Sequence, residues 1–187
     1  MLFHELPLLG AYRLELDKKG DERGFFARAF CQREFAEHGL NANLAQANVS
    51  FSAQVGTLRG LHYQLPPHAE NKIVRCTRGR LWDVLVDIRP DSPTFGQWHG
   101  EELTPDNRTI LYVPEGFAHG FITLEPDTEI FYLVTAFYAP EHERGIRWND
   151  PKFAIEWPRE PAVLSNRDQQ HPDFDPRFHL SGGSAQS

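Results

Sequence analysis

The sequence has little cysteine, no excess of positive charge and no long apolar run. Its 187 residues include only two cysteines, Cys31 and Cys76, which is too few for a disulfide framework, so each is predicted to be a small buried hydrophobe. The formal net charge of −7 argues against a general nucleic-acid binder, which needs a basic surface. No stretch approaches the roughly 20 apolar residues that cross a bilayer, and residues 1–20 lack the features of a secretory signal. These absences predict a cytoplasmic protein that binds neither nucleic acid nor membrane.

Short runs rich in β-branched, aromatic and aliphatic residues dominate the chain and predict strands. The predicted strands are 11–16, 25–30, 44–52, 57–64, 72–78, 81–89, 109–113, 117–124 and 129–138. Residues 32–39 and 149–153 are predicted to form short helices. Nine closely spaced strands favour one mostly β domain over residues 1–180, a sandwich or barrel such as a jelly roll, followed by a flexible tail at 181–187.

Polar residues alternate with apolar ones in two of these strands. In 81–89 one face is an apolar stripe typical of a core, whereas the other carries Asp83 and Asp87 among leucines. In 44–52 a polar face is formed by Gln46, Asn48, Ser50 and Ser52. Each stripe could face solvent or line an inner cavity. Two such stripes in a small β domain favour a polar-lined cavity.

Two histidines stand in contexts that could support chemistry. His62, in RGLHYQ, lies on a predicted buried strand and could be a structural residue or a catalytic base. His119, in PEGFAHGF, has a P-x-G-x-x-H spacing that resembles the second metal-binding motif of cupins. The first cupin motif needs H-x-H, but here the second position is Gln64, a poor ligand for a transition metal. A metal-dependent cupin oxygenase that uses His62, Glu70 and His119 is therefore the alternative from another class.

Three more segments have a structural and a functional interpretation. Lys72 could be a surface lysine at a strand edge, or it could stabilise a developing oxyanion. Tyr132 could pack in the core, or it could donate a proton beside a polar pocket. Residues 21–26, DERGFF, could be the end of a hairpin, or they could bind a phosphate and stack on a base.

The ordered motifs DERGFF, NVSFS, GTLRGLHYQ, KIVRC, WDVLVDIRPDSPTFG, VPEGFAHGF, FYLVTAFY, IRWNDP and LSNRD together resemble the dTDP-4-dehydrorhamnose 3,5-epimerase family. The resemblance runs from about residue 8 to about residue 174, and RGLHYQ with PEGFAHGF is its most specific part. It implies a double-stranded β-helix of the cupin type, a homodimer, a nucleotide-sugar substrate and a reaction without metal or organic cofactor. The strand count and the broken H-x-H pattern agree with this.

The resemblance also implies a mechanism, the conversion of dTDP-4-dehydro-6-deoxyglucose to dTDP-4-dehydrorhamnose. The C4 ketone acidifies the protons at C3 and C5, so their removal gives an enolate. By similarity His62 is the base, Asp168 orients it, and Tyr132 is the acid on the opposite face. Lys72 stabilises the charge on the C4 oxygen.

Substrate contacts follow from the same resemblance. Arg23 and Arg59 are expected to bind the diphosphate, and Phe26 and Tyr138 to stack on the base. The full predicted substrate-binding set is Arg23, Phe26, Gln46, Asn48, Arg59, His119, Tyr138, Glu143 and Arg167. The strand with Arg23 and Phe26 is expected to cross into a neighbour's site. Strict alternation would put Arg59 and His62 on opposite faces, so a bulge at Gly60 is predicted.

Two positions near the expected nucleotide base depart from the family pattern. Arg28 stands where many members have Glu, and Phe137 where many have Tyr. The alternatives within the fold are therefore an enzyme that inverts only one carbon, or one that accepts a CDP- or GDP-linked sugar. A non-catalytic sugar-nucleotide binder is a further hypothesis, but binding alone does not need an opposed acid and base.

Overall fold

The computed structural model describes residues 1–181, and within them strands dominate. The strands are β1 (Leu2–Glu5), β2 (Tyr12–Glu15), β3 (Lys19–Asp21), β4 (Gly24–Phe26), β5 (Gln46–Ser52), β6 (Leu58–Gln64), β7 (Lys72–Arg78), β8 (Leu81–Asp87), β9 (Trp98–Leu103), β10 (Ile110–Val113), β11 (Phe117–Thr123), β12 (Thr128–Val134) and β13 (Glu143–Gly145). The helices are α1 (Gln32–Glu37), α2 (Asn166–Gln169) and α3 (Pro176–His179), and none of them is long and apolar enough to cross a membrane. Apart from Ser181, the predicted tail at 181–187 lies outside the described residues.

Two antiparallel sheets contain most of the strands. One has the order β1-β2-β10-β7-β12-β5 and the other β13-β6-β11-β8-β9, while β3 and β4 form a separate hairpin. A buried cluster joins the sheets, with Val74 and Leu111 from the first and Leu85 and Phe121 from the second. Burying side chains of this size stabilises the fold by about 2 kcal/mol each. The predicted mostly β jelly roll of the cupin type is confirmed.

Each predicted strand overlaps an observed one, although the ends differ. Four observed strands were not predicted. The strand predicted at 25–30 ends at Phe26. The omitted strands are β1, β3, β9 and β13. Strand β9 has the sequence WHGEEL, which is poor in β-branched residues, and it forms because its whole length pairs with β8. Pairing with a distant segment is invisible to local propensity.

The helix predictions are partly correct. The helix predicted at 32–39 is observed as α1, but 149–153 forms turns, in which Asp150 Oδ1 accepts a hydrogen bond from the backbone of Lys152. A carboxylate that satisfies the backbone two residues later favours a turn over a helix. Helices α2 and α3 were not predicted, and both begin at a capping side chain, Ser165 and Asp175 respectively.

Both faces of β8 are buried, so its two acids are inside the protein. Asp87 accepts hydrogen bonds from Arg89 Nε (2.9 Å), Ser92 Oγ (2.5 Å) and Thr94 Oγ1 (2.6 Å), and it is a structural residue. Asp83 lies on the same face of β8 and is hydrogen-bonded to His119, which lines the cavity described below.

The edge strand β5 turns its polar face inward. Gln46, Asn48 and Ser50 line the space between the sheets, as the polar stripe predicts. The opposite face of the strand exposes Val49 and Phe51. Because the polar face of β5 points inward and its apolar face points outward, the interior beside β5 is suited to bind a polar molecule.

Candidate active site

Two adjoining cavities of about 300 and 360 Å³ lie between the sheets and share His62, Lys72 and Tyr132. His62 comes from β6 of the five-stranded sheet. Lys72 and Tyr132 come from β7 and β12 of the six-stranded sheet. A ligand between the sheets would therefore have His62 on one side and the ammonium and phenol groups on the other.

All but two of the predicted site residues line these cavities. Those present are Gln46, Asn48, Arg59, His62, Lys72, His119, Tyr132, Tyr138, Glu143, Arg167 and Asp168. Arg23 and Phe26 lie instead on the exposed β3–β4 hairpin, where Arg23 pairs with Asp21 and Phe26 is 72% exposed. Within one chain the structure does not bring these two residues to the site.

His62 and Asp168 form a tight pair at the N-terminus of α2. His62 Nε2 donates to Asp168 Oδ1 at 2.6 Å, which leaves the Nδ1 lone pair free to accept a proton. Ser165 caps α2 by accepting from the Asp168 backbone, and its hydroxyl donates to Asp168 Oδ2 at 2.9 Å. Burial would raise the pKa of Asp168, but the adjacent His171, His62 and Ser165 lower it well below its usual range. The carboxylate is therefore ionised and fixed in orientation.

The predicted irregularity at Gly60 is confirmed. His62 lies opposite His119, and the register between β6 and β11 shifts just before this pair. Gly60 has φ of +125°, and a Cβ there would lie 2.6 Å from the Gly120 Cα. Glycine is required at this close approach of two strands. The shift allows Arg59 and His62 to reach the same cavity.

Lys72 and Tyr132 form the wall opposite His62. Lys72 is almost fully buried, and its Nζ lies 3.3 Å from Glu70 Oε1 and 3.5 Å from the backbone oxygen of His62. Burial and the charge of Glu70 raise the pKa of Tyr132, against the opposing influence of Arg59. The phenol is thus protonated at neutral pH and able to donate.

A second histidine–carboxylate pair lies beside the first. His119 Nε2 is 2.8 and 3.0 Å from the two carboxylate oxygens of Asp83, and Asp83 is fully buried. The sequence identified Asp83 as one acid of a polar stripe, and it did not identify His119 as its partner. The two residues are 36 apart in the chain and meet only because β8 and β11 pair.

Charged groups define the rim of the site. Arg59 donates to Ser52 Oγ (3.2 Å) and to the Phe51 backbone oxygen (3.0 Å). Glu143 Oε2 accepts from the Tyr138 hydroxyl at 2.5 Å and lies 2.6 Å from Arg167 Nη2. Burial would raise the pKa of Glu143, but these two partners lower it overall. Two guanidinium groups on one cavity are suited to a diphosphate.

Sequence reasoning missed Ser165 and His171, which both contact the dyad. The Ser-x-x-Asp spacing before α2 is a helix-capping pattern and could have identified Ser165. His171 lies one turn beyond Asp168, with Nε2 3.4 Å from Asp168 Oδ1, and no motif marks it.

The metal set considered from the sequence is not assembled. Among residues 1–181, His62, Glu70 and His119 are not a group whose ligand atoms approach one another within 4.8 Å. His119 is held by Asp83, and Glu70 contacts Lys72 and Gln64. That interpretation of the three residues is wrong.

Comparisons with known proteins agree with the geometry. The family model described as dTDP-4-dehydrorhamnose 3,5-epimerase matches residues 5–176. A dTDP-4-dehydrorhamnose 3,5-epimerase of Sinorhizobium fredii is 48% identical over 175 residues, covering 93% of this chain and 90% of the relative.

Two solved structures are also similar. The Bacillus anthracis dTDP-4-dehydrorhamnose 3,5-epimerase with TDP and PPi bound has a TM-score of 0.88 and 42% identity, covering 92% of this chain and 99% of that one. ChmJ, a 3'-monoepimerase from Streptomyces bikiniensis in complex with dTDP-quinovose, has a TM-score of 0.83 and 36% identity, covering 91% of this chain and 86% of that one.

Proposed function

The chain belongs to the dTDP-4-dehydrorhamnose 3,5-epimerase family and is an isomerase, and we propose that it acts through proton transfer between His62 and Tyr132. The substrate is dTDP-4-dehydro-6-deoxyglucose and the product is dTDP-4-dehydrorhamnose. The observation that carries the proposal is the placement of an oriented imidazole and a protonated phenol on facing sheets. Inversion at carbon needs a base and an acid on opposite faces of the substrate.

Each inversion is a pair of proton transfers. His62 Nδ1 takes the proton from the carbon beside the C4 ketone, and the electrons of the broken C–H bond move to the C4 oxygen. The Lys72 ammonium stabilises this enolate oxygen, an effect worth about 3–4 kcal/mol when such a group is preorganised. Tyr132 then donates its proton to carbon from the opposite side, and solvent exchange resets both side chains. The same steps at the second carbon complete the reaction.

The diphosphate is assigned to Arg59 and Arg167. Both guanidinium groups line the cavity that contains His62, and Arg59 is already held in place by Ser52. The Bacillus anthracis relative binds TDP and PPi, which supports a site for the same chemistry here. Gln46, Asn48 and Tyr138 line the adjoining cavity and are assigned to the remaining polar groups of the substrate.

We also propose a homodimer in which the β3–β4 hairpin completes the partner's site. The hairpin exposes Phe25 and Phe26, and the outer face of β5 exposes Val49 and Phe51, which are large apolar groups for a surface. Arg23 lies on the same hairpin. An exchange of hairpins would bury these aromatic rings and bring Arg23 to a neighbouring cavity.

Mixed dimers test this exchange. Arg23→Ala and His62→Ala chains, each impaired alone, are mixed after denaturation and refolded together. If Arg23 serves the partner, each mixed dimer has one intact site, and statistical mixing restores about a quarter of wild-type activity. If both residues serve the same chain's site, mixing restores nothing. Sedimentation equilibrium of the wild type gives the oligomeric state directly.

NMR of the substrate in D2O tests the reaction itself. We expect dTDP-4-keto-6-deoxyglucose to exchange and invert at both C3 and C5. The similarity to ChmJ makes a single-carbon epimerase the second candidate, and exchange confined to C3 would select it. The CDP- and GDP-linked sugars, assayed in parallel, are expected to react more slowly. Equal or faster turnover of either one would show that the assignment of dTDP is wrong.

A further inference from the structure

A second imidazole lies against the carboxylate that holds His62. His171 Nε2 is 3.4 Å from Asp168 Oδ1, the oxygen that is 2.6 Å from His62 Nε2. The two imidazole rings are 5.4 Å apart and meet edge to face. The proton transfers described above give His171 no task.

His171 Nε2 is a buried nitrogen whose contact with Asp168 Oδ1 is not aligned for a hydrogen bond. The side chain is 10% exposed, and within residues 1–181 this nitrogen has no hydrogen-bond partner. Gly145 makes room for the ring, because a Cβ at that position would overlap it. A buried polar atom without a hydrogen-bond partner is unfavourable, so this nitrogen is available to a ligand.

We propose that His62, Asp168 and His171 form an inhibitory binding site for Zn²⁺. One ligand atom from each residue lies within 4.8 Å of the other two. Two imidazoles and one carboxylate, with a fourth position open, are a known zinc donor set. Ligands of a tetrahedral zinc ion are roughly 3.4 Å apart. His171 Nε2 is already 3.4 Å from Asp168 Oδ1, and only His62 must move back from its 2.6 Å contact.

Zinc at this site would remove the base. The ion takes the place of the proton that His62 Nε2 donates to Asp168, and that proton is then carried at Nδ1. A neutral imidazole that binds metal through Nε2 has no lone pair left on Nδ1. The inhibition rests on the proposed function of His62, whereas binding of the ion does not.

A second group of possible zinc ligands has to be distinguished from this site by experiment. His68, Glu141 and His142 also have ligand atoms within 4.8 Å of one another, and the two imidazole rings are 4.4 Å apart. These residues line neither of the two cavities that share His62. A variant at His142 therefore provides the matched control.

Calorimetric titration with ZnCl2 tests the binding site. Wild type, His171→Ala and His142→Ala are compared in one buffer. We expect His171→Ala to lose a binding event that His142→Ala retains. His171→Gln, which keeps a polar side chain, is expected to lose the same event, and circular dichroism with thermal unfolding verifies that each variant is folded. Identical zinc isotherms for wild type and the folded His171 variants would overturn the proposal.

Epimerase assays with added ZnCl2 test the inhibition. We expect the zinc concentration for half inhibition to rise at least about tenfold in His171→Ala and to stay within about twofold of wild type in His142→Ala. Equal inhibition in wild type and His171→Ala, or relief in His142→Ala instead, would contradict the site. If the chain had no epimerase activity, the calorimetry would still decide whether zinc binds here.

Discussion

The two histidine–carboxylate pairs of this protein lie side by side on paired strands and differ in what surrounds them. His62 and His119 face each other across β6 and β11. The His62 side chain is 29% exposed and its carboxylate comes from α2, outside the sheets. The His119 side chain is 8% exposed and its carboxylate, Asp83, is fully buried on the adjacent strand β8. The same two functional groups thus occupy two different environments. We call His62–Asp168 the open pair and His119–Asp83 the closed pair.

Because the two pairs differ in exposure, we expect them to have different tasks. A base must meet the substrate and exchange its proton with solvent, which needs an accessible ring. A buried hydrogen-bond partner cannot be removed without leaving a polar group unsatisfied, so the closed pair contributes to structure and to the shape of the cavity. His62 of the open pair lines both cavities that contain Lys72 and Tyr132, whereas His119 lines one of them.

The largest effect is expected when the carboxylate of the open pair is neutralised. Asp168→Asn removes the charge that fixes the His62 tautomer, and such changes lower kcat by up to about 10⁴-fold. Thermal unfolding should change little, because the amide keeps most of the contacts. Steady-state kinetics and calorimetry measure both quantities. A variant with near wild-type kcat would show that His62 does not depend on Asp168.

Tyr132→Phe is expected to reduce inversion by about 10²-fold, since the donor opposite His62 is lost. Exchange of substrate protons with D2O should fall less, because abstraction and return on the His62 side remain possible. The raised pKa of Tyr132 predicts that the acid stays protonated through the neutral and mildly alkaline range in the wild type. Inversion at the wild-type rate in this variant would exclude Tyr132 as the acid.

His119→Ala is expected to affect stability more than chemistry. Removing one partner of a buried hydrogen bond destabilises a protein by about 1–3 kcal/mol, because Asp83 stays buried without the partner that satisfies it. Turnover by the folded fraction should fall about tenfold or less. Urea unfolding gives the free energy of unfolding. A His119→Ala variant that is as stable as wild type but inactive would contradict a structural role for His119.

The smallest effect concerns a carboxylate that belongs to neither pair. Burial would raise the pKa of Asp87, but hydrogen bonds from Arg89, Ser92 and Thr94 lower it below its ordinary value overall. The folded state therefore binds a proton at Asp87 less readily than the unfolded state does. The ionised Asp87 carboxylate makes its full contribution to the free energy of unfolding above the ordinary Asp pKa, and this contribution is lost as the pH falls. The melting temperature should decrease below about pH 4. Asp87→Asn should make that decrease shallower, and an unchanged slope would contradict the assignment.

The sequence predicted the strands better than it predicted their partners. Alternation and turn residues identified the strands that make the cavity, and the bulge at Gly60 followed from requiring Arg59 and His62 in one site. The pairing of His119 with Asp83 depends on which strands become neighbours, which local patterns do not encode. The position of His171 depends on a turn after α2 and on the space above Gly145. Arg23 and Phe26 lie away from the cavity of their own chain, so their role could be predicted only from the resemblance to the family.

Solvent exchange in matched histidine variants tests the central assignment most directly. The substrate is incubated in D2O with His62→Ala or with His119→Ala, at equal concentrations of folded enzyme, and deuterium at C3 and C5 is followed by NMR. We predict that His62→Ala abolishes exchange at both carbons, a loss of about 10³-fold or more, while His119→Ala retains it at both. Exchange that persists in His62→Ala and disappears in His119→Ala would show that the closed pair holds the base.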